Sequence, residues 1–520
     1  MVNTHCPTCT TEVPVGVFCG ACGAHLAPQP GDGPRWLRPR AFCAAPHQHV
    51  LRPAIASSLF PQLSQLTRAP FYFGLVLLVA AMAFAVEIRL PGALVSVAAL
   101  GLPLLIVIYQ YLSGAYRDIP RGALIATATL GIAIGVGWVL LTGDLVIRET
   151  GAPFDAGIAG NRVLRDGLGV AEGGVLLMMI PAVVVRLVRP GPRKALNGLV
   201  IGVLSALSFT AAATFTRLAP QFAAATVAKT RPVEWLVVEA AIRGVTIPLT
   251  AACAGGLIGA ALWFTRRTED RRPRRLLVTG AVSLFGVAVL GIYGVIGITD
   301  VAGLPQAKML AWHIAMALVA VIALRVGLQL VLLHERPDPS PGDPQLCLHC
   351  RTVVPEMAFC PLCGVAAHAS TEASRAQRRQ VVAEQDAEHA PTADWPGFGT
   401  SAAAYRAQPL ARNPAVRVPL LWAIVIAVIT APLIGLSARI AEPDVLYNCP
   451  PDCGRPPTRT PIASLPRFTA EGGNSRWPTP PRGRPTRSAS MPAVCGPPTP
   501  AETAALSSCG ASRPTGNPPR

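Results

Sequence analysis

The sequence predicts an all-α polytopic membrane protein with about nine transmembrane helices, two small zinc-ribbon modules, disordered linkers and a disordered tail. Its 520 residues are 51% hydrophobic and only 14% charged, with a mean hydropathy of +0.44, whereas soluble domains carry roughly 25% charged residues. About nine apolar runs are long enough, at roughly 20 residues each, to cross the hydrocarbon core of a bilayer. A cysteine pattern near the start of the chain recurs 341 positions later, from Cys6 to Cys347.

The repeated pattern has the ligand spacing of a zinc ribbon, predicted over residues 1–25 and again over 345–366. In both copies nine residues separate two CxxC pairs. Each pair directs two thiolates at one point, so two pairs complete a tetrahedral Zn²⁺ site. A module this short cannot fold on an apolar core, and the metal supplies the folding free energy. The predicted ligands of the two structural sites are Cys6, Cys9, Cys19 and Cys22, and Cys347, Cys350, Cys360 and Cys363.

A linker follows each predicted ribbon, and the membrane domain lies between them. Residues 26–69 are predicted to form a Pro/Arg-rich linker, and residues 70–335 an eight-helix transmembrane domain. Residues 367–417 form a second linker with a weak helical pattern over 370–388, which we expect to be largely disordered because it has little apolar surface to offset the entropy of ordering. The predicted spans are 70–87, 92–112, 122–142, 168–189, 195–215, 236–264, 276–297, 309–333 and 418–438.

Loop charge predicts the orientation of these spans. Basic clusters follow the second, fourth and sixth spans, and basic loops stay in the cytoplasm. The prediction is a multi-pass plasma-membrane protein with a cytoplasmic N-terminus, both ribbons inside and the tail outside. Reducing cytosol keeps ribbon thiols free for metal, while an oxidising compartment would instead favour disulfides. The clusters are Arg117 and Arg121; Arg186, Arg189, Arg193 and Lys194; and Arg266, Arg267, Arg271, Arg272, Arg274 and Arg275.

The extracytoplasmic tail, 440–520, changes composition after Gly473. From there it is rich in Pro, Arg, Ser, Thr and Cys without periodicity, a mixture typical of GC-rich coding DNA read out of frame. We interpret 474–520 as a frameshifted remnant of a β-rich domain. The alternative is a native disordered Pro-rich tail, and the nucleotide sequence of the gene distinguishes the two.

Ionisable residues at bilayer depth are costly and therefore carry a functional hypothesis by default. Glu172 lies early in the fourth span, and Glu239 and Arg243 lie one helical turn apart in the sixth, where they can pair. Arg325 is expected to snorkel towards the cytoplasm, and His313 to be an interfacial or hydrogen-bonded residue. An intramembrane metalloprotease needs Glu and His ligands around a water-bearing Zn²⁺, and no such spacing occurs in these spans.

The order of segments over roughly 70–335 resembles the PrsW-like family of intramembrane proteases, specifically actinobacterial members with a zinc ribbon. Three stretches carry the resemblance: GVAEGGVLLMMIP, LNGLVIGVLSALSF and IRGVTIPLTAACAGGLIGAALW. Glu172 matches the first glutamate of the family's Glu-Glu helix. Gly173, Ala213 and Ala251 stand where the resemblance implies the second glutamate, a later glutamate and a histidine. The resemblance therefore implies a protease scaffold without its metal ligands.

Three functional hypotheses follow. The first is a non-catalytic membrane scaffold that presents two cytoplasmic ribbons to a cytoplasmic protein, with the lipid bilayer as its other partner. The second is a PrsW-like hydrolase with diverged ligands, for which Glu172 is the residual catalytic candidate. The third is a transporter or channel. The net charge of +17 resides largely in short loops, so nucleic acid is not an expected partner.

Overall fold

A computed structural model describes eleven segments of the chain. The tail beyond 440, including the proposed frameshift, lies outside them. The described residues are 3–27, 37–63, 66–87, 91–149, 167–188, 194–219, 233–264, 272–301, 304–335, 342–388 and 414–440.

The predicted helical architecture is confirmed, and its long apolar helices suggest a multi-pass membrane protein. Within the described segments, eight helices are long and apolar enough to cross a membrane, and they match eight of the nine predicted spans. The remaining predicted span lies in helix Arg272–Val301, whose described apolar part, Leu284–Asp300, is shorter. The eight are Ala69–Glu87, Ala93–Leu112, Arg121–Gly143, Gly167–Val188, Ala195–Leu218, Glu234–Trp263, Gln306–His334 and Arg417–Gly435.

The described residues also form two antiparallel strand pairs. Strands β1 and β2 pair within the first ribbon, and β3 and β4 pair within the second. In chain order the elements are β1 (Asn3–His5), β2 (Glu12–Pro14), α1 (Ile55–Leu59), α2 (Ala69–Glu87), α3 (Pro91–Leu112), α4 (Arg121–Glu149), α5 (Val170–Val188), α6 (Ala195–Leu218), α7 (Val233–Ala241), α8 (Ile247–Trp263), α9 (Arg272–Val301), α10 (Gln306–His334), β3 (Gly342–Leu346), β4 (Val353–Glu356), α11 (Glu372–Glu388) and α12 (Pro414–Ile440).

Small residues bring the central helices into backbone contact. A Cβ added to Gly202 of α6 would lie 2.1 Å from the carbonyl oxygen of Gly255 of α8, and one added to Gly259 would lie 2.1 Å from that of Gly198. Glycines four residues apart on one helix allow such a close approach, and both helices carry a pair with this spacing. The fit of two glycine pairs brings α6 and α8 into close backbone contact.

A π-helical segment, Ile242–Thr246, joins α7 to α8 into one span. The Ile247 N–H donates to the Ile242 carbonyl, five residues earlier. Pro248 follows at once and has no N–H to donate, so the wider turn precedes the residue that interrupts the hydrogen-bond ladder. A proline at this position is expected to disturb the helix, and here the helix changes from π to α geometry just before it.

Part of the first linker is folded. Between 37 and 63 the chain packs onto the bundle, and Phe42, Val50 and Phe60 are fully buried there. Composition alone predicts a linker without a fold of its own, because prolines and arginines are frequent over 26–69. The apolar residues between them are sufficient to attach this segment to the membrane domain.

Part of the second linker also departs from the expected disorder, while residues 389–413 lie outside the described segments. Helix α11 (Glu372–Glu388) begins where the Asp118 carboxylate accepts hydrogen bonds from the backbone N–H groups of Glu372 and Ala373, at 2.6 and 3.0 Å. Lys194 forms an ion pair with Glu372 at 2.5 Å. Capping by a distant carboxylate satisfies the free N–H groups of a helix start. Tertiary contacts thus order a segment whose own apolar surface is small.

Candidate metal centres

The two cysteine clusters share one backbone geometry, turn by turn. In the first ribbon, the Thr10 N–H donates to the Cys6 carbonyl at 2.9 Å, and the Gly23 N–H to that of Cys19 at 2.7 Å. The positions 341 residues later, Arg351 and Gly364, repeat both bonds onto Cys347 and Cys360. All four of these turn residues have positive φ. A left-handed residue after each CxxC pair turns the chain so that both sulfurs face one point.

The sulfur atoms are spaced for a metal ion. In each cluster all four Sγ atoms lie within 4.8 Å of one another, and the cysteines are free thiols. The measured pairs are Cys6–Cys22 at 3.8 Å, Cys9–Cys19 at 3.7 Å, Cys347–Cys363 at 3.7 Å and Cys350–Cys360 at 3.9 Å. A tetrahedron with metal–sulfur bonds of about 2.3 Å has edges of about 3.8 Å. Both clusters could therefore hold a metal ion.

An arginine accompanies each cluster. Arg38 donates to the Cys22 carbonyl at 2.6 Å. The pKa of the Cys22 thiol is lowered to about 4, chiefly by a hydrogen bond from Cys19 and further by the charge of Arg38. Beside the second cluster, burial lowers the pKa of Arg378 to about 10, which leaves it charged at neutral pH, and the Cys347 thiolate favours that charge. Positive charge beside thiolates offsets part of the negative charge of a four-thiolate site.

The two ribbons pack against each other. The Phe18 N–H donates to the Pro361 carbonyl at 2.9 Å, and the Phe359 N–H to the Gly20 carbonyl at the same distance. The Phe18 ring lies against Gly364, and the Phe359 ring against Gly23. The ribbons are thus one paired unit.

Two buried polar side chains one turn apart, Arg325 and Gln329, attach helix α10 to segment 37–63, which in turn contacts the second ribbon. Gln329 donates to the carbonyls of Leu37, Arg38 and Ala41 at 3.0, 3.3 and 3.0 Å. Its Oε1 accepts the Cys43 N–H at 2.8 Å, and the Cys43 carbonyl in turn accepts the Ala366 N–H at 2.8 Å. One side chain therefore links the membrane helix to segment 37–63, and this segment to the second ribbon.

Contrary to the sequence-based expectation, the Arg325 side chain does not reach water by snorkelling. It is fully buried, with its guanidinium 4.0 Å from the Phe42 ring centroid. It donates to Ser57 Oγ at 2.5 Å and to Gln48 Oε1 at 2.9 Å. The folded segment 37–63 covers the guanidinium, so polar groups of the protein replace the water that snorkelling would have reached.

The contacts place the ribbons at one end of the bundle. Asp118 follows the second span, Lys194 precedes the fifth, and Glu335 follows the eighth, where its Oε1 accepts the Ala195 N–H at 2.8 Å. We name residues 3–27, 37–63 and 342–388 together the ribbon head. Two of the loops that their basic residues assign to one side of the membrane, those after the second and fourth spans, contact the head. Residues 265–271, after the sixth span, lie outside the described segments.

Other predicted polar residues lie elsewhere. Glu239 and Arg243 pair at 3.1 Å, as expected. His313 is buried, and its Nε2 lies 2.9 Å from Asp300 Oδ1, a partner just outside the predicted span. Glu172 packs near Gly294 of α9, and its buried Oε2 has no hydrogen-bond partner within the described segments. Among the described residues, the two cysteine sets are the only groups of three or more potential ligands close enough for a metal.

The fold and these clusters define a class: a helical protein whose long apolar helices indicate a multi-pass membrane protein, with two four-cysteine clusters that could each hold a metal ion. No protein-family model, curated protein or solved structure matches the chain.

Proposed function

We propose that this protein is a non-catalytic scaffold of the plasma membrane, whose helical bundle holds a zinc-loaded ribbon head at its cytoplasmic face to bind or regulate a cytoplasmic protein. The observation that carries the proposal is the attachment of the head. The fully buried Gln329 and Arg325 join it to α10. A fixed head offers a partner one defined surface at a defined distance from the membrane.

Zinc is the metal that this donor set favours. Four thiolates at tetrahedral spacing are the ligand set of structural Zn²⁺ sites, whereas catalytic zinc has three protein ligands and an open position for water. The eight cysteines divide into two complete sets of four. Structural zinc supplies folding free energy to modules this small, so the metal would maintain the shape of the head.

The surroundings of Glu172 support a scaffold over a hydrolase. Glu172 lies at a helix contact, where a Cβ added to Gly294 would be 3.0 Å from its Oε1. The Trp138 ring fills the space beside Gly173, 2.7 Å from where a Cβ would stand. A second glutamate would have to displace that ring. The PrsW-like resemblance therefore remains a hypothesis about the scaffold and not about activity.

The proposed cytoplasmic location predicts the result of thiol labelling. In intact cells, a membrane-impermeant maleimide should leave the cysteines of both ribbons unmodified, and lysis with chelation should expose them. A cysteine placed at Thr299, near the opposite end of the bundle, is the matched positive control in intact cells. Modification of the ribbon cysteines from outside would contradict the proposed topology.

The scaffold role is tested by proximity labelling from the N-terminus of the full chain in living cells. We expect Cys9→Ser together with Cys350→Ser to change the set of labelled cytoplasmic proteins, because each substitution removes one metal ligand. Glu172→Gln should leave the set unchanged. If Glu172→Gln changes the set and the cysteine variant does not, the scaffold proposal fails and the membrane block carries the function.

A further inference from the structure

We infer that the two ribbons are each other's folding partner across an internal two-fold interface, and that the aromatic residues Phe18 and Phe359 couple the two metal sites. This inference rests on the proposed metal loading of both clusters. It adds that each site holds its metal less tightly when the other is empty.

The interface is close to isologous, which means that contacts occur twice with the two ribbons exchanged. The bond from the Val17 N–H to the Pro361 carbonyl is an exception, with no counterpart among the described hydrogen bonds. A Cβ at Gly16 would meet Pro361, and a Cβ at Gly20 would meet Met357. With the offset of 341, Met357 corresponds to Gly16 and Pro361 to Gly20. The two aromatic–glycine contacts and the two backbone hydrogen bonds obey the same exchange. The contacts that satisfy this exchange define a pseudo-two-fold axis between the ribbons.

The exchanged contacts fall on the metal-binding turns. Gly364 follows Cys363 and closes the second CxxC turn of its ribbon, and its φ of +74° holds that turn. The Phe18 ring, contributed by the other ribbon, packs so closely on this glycine that a Cβ added there would lie 2.8 Å from the nearest ring carbon. Phe359 covers Gly23, with its φ of +71°, in the same way. Each metal site therefore has one wall that belongs to the other ribbon.

Coupling follows from the size of the modules. Within its own ribbon, each cluster is surrounded by only a few buried apolar residues; for the first these are Val13 and Ala24 beside the cysteines. A ribbon that loses its metal loses the source of its folding free energy and withdraws its phenylalanine from its neighbour. The neighbouring turn is then exposed to water, and its metal affinity falls. Reciprocity of linked equilibria requires the effect in both directions.

The test uses the full-length, zinc-loaded protein in lipid nanodiscs. A chelator is added, free thiols are alkylated with N-ethylmaleimide, and mass spectrometry measures the alkylation rate of each cysteine, so that the two sites are read separately. Phe359→Ala leaves all eight ligands in place. We expect it to accelerate alkylation of Cys6, Cys9, Cys19 and Cys22, in the other ribbon, by about tenfold or more, as for loss of a buried aromatic anchor.

Two further variants define the outcomes. Cys350→Ser removes a ligand of the second site and should also accelerate alkylation in the first ribbon. Val15→Ala, at a side chain that is half exposed, should leave both ribbons unchanged. If Phe359→Ala and Cys350→Ser accelerate only the cysteines of the second ribbon, the sites are independent and the inference is wrong. The scaffold proposal survives that result, because it requires metal at both sites but not their coupling.

Discussion

Removal of metal from the purified protein is expected to unfold the two ribbons and leave the helical bundle intact. Structural zinc contributes about 10–16 kcal/mol of apparent free energy to modules of this kind at neutral pH. Burial of apolar side chains within each ribbon contributes much less free energy, because the buried apolar residues there are few. Hydrogen–deuterium exchange should show loss of protection over 3–27 and 342–366 after chelation, with α6 and α8 unchanged.

Ligand substitution should reproduce this result without a chelator. Cys22→Ser leaves three thiolates in the first cluster and should remove protection from the first ribbon. Cys253→Ala is the matched control, because Cys253 is a buried free thiol of α8 that belongs to neither cluster. Unchanged protection in Cys22→Ser would mean that the first ribbon folds without its metal, and the proposed role of zinc would be incorrect.

Substitution of Gln329 by leucine is expected to release segment 37–63 from the bundle. The leucine cannot replace the amide, whose two N–H hydrogens are shared among three carbonyls and whose oxygen accepts the buried Cys43 N–H. A buried donor or acceptor left unsatisfied costs about 1–3 kcal/mol, so the attachment should weaken by about 3 kcal/mol or more. Limited proteolysis should then cleave within 37–63 at least tenfold faster, since about 1.4 kcal/mol corresponds to a factor of ten.

Gln306→Leu provides the control for this substitution. Gln306 begins the same helix at its opposite end, and its Oε1 has no hydrogen-bond partner in the part of the chain that the structure describes. The same chemical change there should leave proteolysis of 37–63 at the wild-type rate. If Gln329→Leu also leaves that rate unchanged, the apolar contacts of Phe42 and Phe60 hold the segment without the amide, and Gln329 is not the attachment point.

Local features of this protein could be predicted from its sequence. Two CxxC pairs nine residues apart can direct four sulfurs to one point whatever the rest of the chain does, and long apolar runs must be buried in lipid or protein. The Glu239–Arg243 pair could also be predicted, because helical spacing alone brings those side chains together.

Long-range contacts could not be predicted in this way. In the sequence, Gln329 is one polar residue near the end of a span. Its role depends on contacts with residues nearly 300 positions earlier, which the sequence does not reveal. Helix α11 has little apolar surface, and its cap, Asp118, lies in a distant loop. The match of Phe18 and Gly23 with Phe359 and Gly364 is visible in the sequence as a repeat. That the repeat also defines an interface is evident only with the ribbons side by side.

Zinc stoichiometry of the full-length protein, measured at saturating Zn²⁺, tests the central claim most directly. We predict two Zn²⁺ per wild-type chain, one in Cys22→Ser, one in Cys363→Ser and none in the double variant, with Glu172→Gln unchanged at two. Metal retained by the double variant, or lost on substitution of Glu172, would place a metal centre in the membrane bundle and contradict the assignment of metal to the ribbon head alone.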